Sequence, residues 1–552
     1  MLRRLVIQNF RSLEEVAIDL DPLTALVGPN GSGKSSILRA LDMALGQSWP
    51  TIRSFRLPHD FTRFDDTRDL RIRVRVDPPL MHVDAMKKDH AVHGFELRVA
   101  PYTRRTRRAE RGDLHCDFHP LGNDGTVPTI ALNMGKGGPN FGPFTNVPPA
   151  LRDDARVLFV DHRRSVIQHQ PWARGSILAR LLGPARRELG EIEFEPGVTH
   201  SEAFTERYQA AVEALRTPRV REIESTISET ARQTLGFLGS AVTGNLGVRF
   251  GFADPANPFG TLRLLYDEGG MELPAEEVGS GIQSAIVVGI FEAFRRLGTS
   301  VGTVLIEEPE MYLHPQAQRY FHRLLVDLVD SGQCQVIYST HSPIFADITR
   351  FESIRLVRRA PGAMTTVTAV NKEEDREFLA KRRSDQKLVA FTTARSEALF
   401  AHRALLVEGA ADVLAVRMLA EREDLDLDGE NLSVIDCGSK HAIPFIARTC
   451  RALGIPVVVL HDRDVLPVEG DEDERTKIEA QNRVEVKAND AIADAVGDGS
   501  KVFVAEPSLE GLLGISANAR DKPRRVAEAL EGAVAEAWPA PVRSALAALT
   551  EG

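Results

Sequence analysis

Apolar residues in this chain come in short bunches, and most bunches end in a glycine-led turn or a pair of acids. LTALV (23–27) is a continuous apolar run of strand length that breaks into GPNGSGKSS, so a buried strand, a glycine-rich loop and a helix are predicted in that order. LRIRVRV (70–76) alternates apolar and basic like a half-exposed strand, and short strand-like and Gly/Pro-rich stretches continue to about 160. From about 165 to 240 the period becomes helical, as in AFTERYQAAVEALR and VREIESTISETARQTL. VGSGIQSAIVVGIFEAF then gives a glycine–serine turn feeding an apolar helix, and TVLIEE and QVIYSTH read as buried strands with polar tips. Charged, helix-forming residues at 371–400 read as a connecting helix. Beyond them a second α/β pattern opens with ALLVEGAADVLAVRMLA, IPVVVLHDRD and VFVAEPSLEGLLG, strands whose carboxyl ends carry acids.

Composition narrows the class of protein without deciding it. With 552 residues, 43% hydrophobic and 26% charged, the chain has room for two to four domains with real cores. No charged-then-apolar leader opens it and no stretch approaches the ~20 apolar residues of a membrane span, so a cytoplasmic protein with no membrane partner is expected. The four cysteines, Cys116, Cys334, Cys437 and Cys450, form no C-x-x-C pair, which removes disulfide frameworks and zinc sites from consideration. His115, Cys116 and His119 lack a second ligand pair and are not read as a metal set. A formal net charge of −10 excludes a uniformly basic nucleic-acid coat, while Arg104, Arg105, Arg107, Arg108 and Arg111 form a local basic cluster.

The first chemistry is phosphate binding. Gly28 to Ser36 fits G-x-x-x-x-G-K-S: Asn30, Gly31, Ser32 and Gly33 form a loop whose N–H groups turn onto nucleotide phosphates, and Lys34 reaches the β/γ oxygens. Ser35 offers its hydroxyl to Mg²⁺, and Ser36 follows it in the first turn of a helix. Ser280, Gly281 and Gln283 form the turn that presents N–H groups and a hydroxyl to an anion. At the tip of TVLIEE, Glu307 is placed to hold Mg²⁺ and Glu308 to align an attacking water, while His341, ending the next strand, is placed to sense a γ-phosphate.

That order of parts resembles the ABC-type ATPase head across most of residues 1–370, and the opening LVIQNFRS looks like the first strand of the branch that includes RecF, SMC proteins and OLD (overcoming lysogenization defect) nucleases. The resemblance implies ATP sandwiched between two heads, and hence a homodimer. Glu307 then stands at the Walker B acid, Glu308 at the catalytic glutamate, His341 at the switch histidine, and Ser280 to Gln283 at the signature turn. The signature reads GSGIQ and Walker B ends Glu-Glu, both departures from the usual pattern, and no Q-loop is placed.

In the last third, Glu408 ends one strand, Asp412 opens the following helix, and Asp462 and Asp464 end a second strand. In an open parallel sheet these acids gather at one edge, and carboxylates crowded together call for one or two divalent ions suited to in-line attack on a phosphodiester. Strand–EG–helix followed by strand–DxD looks like a Toprim domain. The OLD pattern adds Glu510 as a further ligand and Lys522 as a phosphate-facing cation, with Asp412 where a second glutamate is common. The loop CGSKHA (437–442) is placed to approach the scissile phosphate, and GDEDERTK reads as a solvated acidic loop.

An ABC head followed by Toprim resembles the OLD nucleases over nearly the whole chain. The expected fold class is α/β multidomain: an ABC/RecF/SMC-like P-loop ATPase head at 1–370 with a helical, dimerising insertion at about 165–240, a linker helix at 371–400, and a Toprim-type parallel sheet domain at 401–552. The resemblance implies an ATP-hydrolysing DNA endonuclease using Mg²⁺, or Mn²⁺ or Ca²⁺ in the Toprim site, with a helicase or other defence-system protein as a further partner and phage defence or DNA repair as its setting. The alternatives are an ATPase scaffold that senses nucleotide, and a RecF-like DNA-binding ATPase with a non-cleaving Toprim fold. A topoisomerase is disfavoured because all six tyrosines precede residue 401.

Overall fold

The computed structural model describes residues 1–103, 112–135, 137–145, 147–162, 169–170, 176–214, 264–268, 271–296, 302–373, 375, 378, 393–497, 501–516 and 519–551. The arginine cluster at 104–111, the segment 215–240 with VREIESTISETARQTL, and most of the 371–400 connection lie outside these residues. Two compact units divide the chain, one made of 1–162 with 301–552 and the other of 163–300.

In the first unit, strands β1 (Leu2–Phe10), β2 (Leu13–Asp19), β4 (Leu70–Val83), β5 (Asp89–Pro101) and β6 (Leu114–Leu121) make an antiparallel sheet in the order β2-β1-β4-β5-β6. A second sheet runs β11-β10-β3-β9-β8-β7, from Thr366–Thr368, Ile354–Arg358, Leu23–Val27, Gln335–Thr340, Thr303–Glu307 and Val157–Val160. All its neighbours are parallel except β11 on β10. Its central strands bury both faces, which is why they read as unbroken apolar runs. Helix α1 (Lys34–Leu45) lies in the core between the sheets, with Ile37, Leu38, Leu41 and Leu45 fully buried; at ~2 kcal/mol each, those four side chains anchor the loop in front of them. Gln335 ties the two sheets together. Its buried amide accepts from Leu2 N and Thr303 Oγ1 and donates to the carbonyls of Leu2 and Asp21, filling its hydrogen-bonding capacity. Helix α2 (Pro315–Asp330) joins β8 to β9 and buries Phe321, Leu324, Leu325 and Leu328.

A four-stranded parallel sheet in the order β13-β12-β14-β15 follows in the same unit, from Leu432–Asp436, Arg403–Val407, Val457–Asp462 and Val502–Ala505. Helices α3 (Ala410–Arg422), α7 (Lys522–Leu530) and α8 (Ala540–Thr550) share one core with it, through Val416, Leu419, Val526, Leu530, Val542 and Leu546 against Val458 and Leu460. Helices α4 (Ile443–Ala452) and α5 (Glu472–Val496) pack on each other, and α6 (Leu509–Leu512) is a single turn. The stretch GDEDERTK is solvent-exposed, as expected, yet it is the start of α5 and not a loop: Asp471 caps the helix by accepting from Glu474 N, and the Glu474 carboxylate accepts from Asp471 N.

The two sheet systems of this unit meet through aromatic packing. Phe351 is fully buried, its ring 4.9 Å from Phe378 and 5.7 Å from Phe445 on α4. Arg358 donates to Ala401 O, and Ser396, in a 3₁₀ turn at Thr393–Leu399, accepts from Ile348 N.

The second unit contains helices Ile177–Glu191 and His200–Ala214, linked by a small hairpin of Glu193–Glu195 with Val198–Thr199, then a hairpin of Leu265–Glu268 with Met271–Pro274 and a 17-residue helix, Ser280–Arg296. No helix among the described residues is long and apolar enough to cross a membrane.

Candidate nucleotide and metal sites

Parallel pairing puts three functional strand ends side by side. Val27, before the glycine loop, is in register with Thr340 on β9, and Ser339 with Glu307 on β8. The loop uses glycine where a side chain would not fit: at Gly28 a Cβ would stand 2.0 Å from Val357 O, and Gly33 caps α1 at φ 113. Lys34 is 4% exposed, and its Nζ donates to the carbonyls of Gly28 (2.8 Å) and Pro29 (2.9 Å). Burial lowers its pKa to about 8 against the pull of Glu308, Glu310 and Glu307, so this ammonium sits where further negative charge would stabilise it. Ser32 Oγ is buried without a partner, while Asn30, Gly31 and Ser35 are exposed at the mouth of the loop. Ser36 is half-buried in the first turn of α1. Such a cradle, with an orphaned hydroxyl, a desolvated lysine and a helix N-terminus, fits nucleotide phosphates.

Glu307 lies 3.0 Å from His162 Nδ1, and Glu308, at φ 48, lies 3.6 Å from His341 Nε2. Burial and the nearby Lys34 lower the His341 pKa to about 4, leaving a neutral imidazole at physiological pH. Glu310 was not singled out in the sequence. One of its oxygens, Oε1, accepts from Thr340 Oγ1 (2.9 Å), His341 N (2.6 Å) and Ser342 N (3.1 Å), so this carboxylate shapes the turn that carries His341. Ser280 and Gly281 are exposed in the first turn of the long helix of the second unit, and Gln283 there donates to the carbonyls of Glu276 and Val278.

At the carboxyl edge of the four-stranded sheet, Glu408, Asp462 and Asp464 each bring a carboxylate oxygen to within 4.8 Å of the others, the one such cluster found among the described residues. Backbone bonds hold it: Asp462 N donates to Glu408 Oε1 (2.8 Å), Leu509 N to Asp462 Oδ1 (2.8 Å), and Gly409 N to Asp412 Oδ2 (3.1 Å). Asp412 and Glu510 are buried nearby, and Lys522 Nζ is 3.0 Å from Glu510. A second lysine that sequence reasoning passed over, Lys440 of CGSKHA, contacts Asp464 at 3.2 Å. Glu506, by contrast, pairs outward with Arg463.

Carboxylates ~5 Å apart repel by about 3 kcal/mol per pair at an effective dielectric of ~20, so the cluster favours either protons or cations. Burial first, then the neighbouring acids, pushes Glu408 and Asp412 up to about 7 and Asp462 to about 8. An all-oxygen donor set with that unmet demand for positive charge fits a hard divalent ion. Protons and metal compete for the same oxygens. Raising the pH from 6.5 to 8.5 is therefore expected to lower the Mn²⁺ concentration needed for half-saturation, with protons released on binding, as calorimetry in buffers of different ionisation heat would show. For the metal-free protein the sign is opposite: between the ordinary and the raised carboxyl pKa the folded state holds more protons than the unfolded, so its melting temperature falls as pH rises across that window.

Two protein-family models match parts of the chain. Residues 1–90 and 187–346 match the AAA ATPase domain family, and residues 399–464 match the overcoming lysogenization defect protein-like TOPRIM domain. The OLD nuclease of Thermus scotoductus is 49% identical over 96% of this chain and 95% of its own length. The Old nuclease of Escherichia phage P2 is 23% identical over 83% of this chain and 76% of its own. Among solved structures, the C-terminal region of the Burkholderia pseudomallei OLD protein covers 27% of this chain and 97% of that one, at 21% identity and TM-score 0.20. An Smc head bound to the C-terminal winged-helix domain of ScpA covers 68% of this chain and 99% of that one, at 16% identity and TM-score 0.34.

Proposed function

Because this chain belongs to the OLD nuclease family, an ATPase domain joined to a TOPRIM domain, we propose that it is an ATP-hydrolysing, divalent-metal-dependent DNA endonuclease whose cleavage site is the Glu408–Asp462–Asp464 cluster. The observation that carries this reading is the convergence of those three carboxylates at the carboxyl edge of one sheet, close to a lysine that can meet a phosphate. Glu408, Asp462 and Asp464, with Asp412 and Glu510, are the residues that would hold one or two ions. Bound there, a divalent ion supplies Lewis-acid and water-activating chemistry for phosphodiester hydrolysis. Lys522 is tethered to Glu510 yet 43% exposed, and it is free to turn toward charge building on the phosphate.

In the ATPase part, Lys34 and the loop N–H groups would bind phosphates, Ser35 and Glu307 would hold Mg²⁺, Glu308 would orient water and His341 would read the γ-phosphate. The Ser280–Gln283 turn serves a second copy of the chain in an ATP-bound homodimer. Regulation of cleavage by nucleotide state would pass through the contact between the two sheet systems, where Phe351 meets Phe445 of α4 edge-on with ring centroids 5.7 Å apart. We divide the chain into ATPase (1–370), linker (371–400) and Toprim (401–552) parts, and place it in the cytoplasm, in phage defence or DNA repair. The direct test is nicking and linearisation of supercoiled plasmid by the purified full-length protein with Mn²⁺ or Mg²⁺, with and without ATP, alongside phosphate release. Metal-dependent cutting that EDTA stops is expected; ATP turnover with no cutting of any DNA form would leave an ATPase scaffold.

A further inference from the structure

Two lysines border the acidic cluster, and they differ in kind. The Lys522 side chain is 43% exposed; that of Lys440 is 5% exposed. Lys440 Nζ lies 3.2 Å from Asp464 Oδ2, 3.1 Å from Glu485 Oε2 on α5 and 3.1 Å from the carbonyl oxygen of Arg463, which accounts for all three protons of an ammonium. Two of the three bonds fall on the turn that follows β14. At its tip Asp464 takes φ 53, a left-handed conformation disfavoured for a residue with a Cβ, and it persists only if its surroundings enforce it.

The restraints come from three elements: Asp464 N donates to Pro507 O before α6, Asn489 of α5 donates to Arg463 O, and Lys440 grips both the Arg463 carbonyl and the Asp464 carboxylate. Lys440 alone among these holds the carboxylate itself. Without it, Asp464 and Glu485 would face each other as like charges, and Asp464, whose side chain is 39% exposed, has solvent to swing into.

We propose that Lys440, with Glu485 as its fixed counter-charge, is the positioning residue for Asp464: it keeps that carboxylate within the acidic cluster and thereby sets the affinity for divalent cation. The assignment rests on the metal-dependent reading of the cluster given above. It separates the two lysines by function, Lys440 shaping the acidic site and Lys522 facing the phosphate.

Binding of Mn²⁺ to the full-length protein without nucleotide or DNA, followed by electron paramagnetic resonance, tests this apart from any cleavage. Lys440→Met is expected to weaken Mn²⁺ binding by about 10- to 100-fold, the range typical of groups that orient ligands, and to raise the Mn²⁺ needed for half-maximal plasmid cleavage in proportion. The rate at saturating Mn²⁺ should change by less than about threefold. Lys440→Arg should restore part of the affinity, Glu485→Gln should fall between wild type and Lys440→Met, and Lys440→Met in an Asp464→Asn background should cost nothing further. Unchanged Mn²⁺ affinity, a loss of rate at saturating metal with no shift in affinity, or additive losses in the double variant would each overturn the proposal. If Lys440→Met melts early, Glu485→Gln carries the test, and unchanged affinity there overturns it as well. Wild-type protein that binds Mn²⁺ at the cluster yet cuts no DNA would refute the nuclease reading alone.

Discussion

Asp462→Asn is expected to lower metal-dependent plasmid cleavage by about a thousandfold or more while leaving the protein folded. Asp462 sits at the centre of the cluster, its amide bonded to Glu408 and its Oδ1 already accepting from Leu509 N. Asparagine keeps that acceptor, so the start of α6 stays tied to β14, but the charge that a cation needs is gone. Removing one carboxylate from a crowded set also removes its pH-dependent penalty, so the metal-free variant should melt no lower than wild type, and increasingly above it as the pH rises from the ordinary carboxyl range to about 8. Stability and function thus move in opposite directions, which an unfolding artefact cannot imitate. Cleavage at the wild-type rate in Asp462→Asn would mean that the acids are incidental to a scaffold, and the same preparation's melting temperature decides whether the comparison is fair.

Why the acids were legible in the sequence and their governors were not is a matter of range. Glu408, Asp462 and the P-loop announce themselves locally, because an apolar run fixes a strand and the next residues must then lie at its carboxyl end. Lys440 and Glu310 act across the chain: Lys440 meets Asp464 and Glu485, and Glu310 meets the turn at Thr340 to Ser342. A lysine in CGSKHA reads like any surface lysine until the fold buries it. Its loop was expected to approach the phosphate, and its lysine meets Asp464 of the acidic cluster. The Glu510–Lys522 pair came from family resemblance, since no local spacing joins two residues on separate helices. The start of α5 is a different kind of miss. Asp471 and Glu474 are spaced as a capping box, a helix signal present in GDEDERTK but outweighed there by its density of charge.

Lys34→Ala is the second large effect, and it separates the two activities. Lys34 is a desolvated ammonium held between loop carbonyls and three acids, poised to exchange those weak partners for phosphate oxygens. Truncating a buried charged partner costs about 2–5 kcal/mol, so ATP affinity should fall by roughly 30-fold to several thousandfold, with hydrolysis lost at ordinary ATP concentrations. Glu308→Gln should differ in kind, keeping nucleotide binding while slowing hydrolysis by about a hundredfold or more, because the carboxylate beside His341 would be gone but the phosphate cradle intact. The cluster at Glu408, Asp462 and Asp464 is untouched in both. Metal-dependent cleavage by Lys34→Ala should therefore persist but become indifferent to added ATP, whatever the sign of the ATP effect on wild type, whereas Glu308→Gln should hold cleavage at its ATP-bound level. An ATP response that survives in Lys34→Ala would show that nucleotide acts elsewhere than in this loop. Equal loss of cleavage in both variants would show instead that hydrolysis itself is needed for each cut, replacing gating by nucleotide state with coupling to turnover.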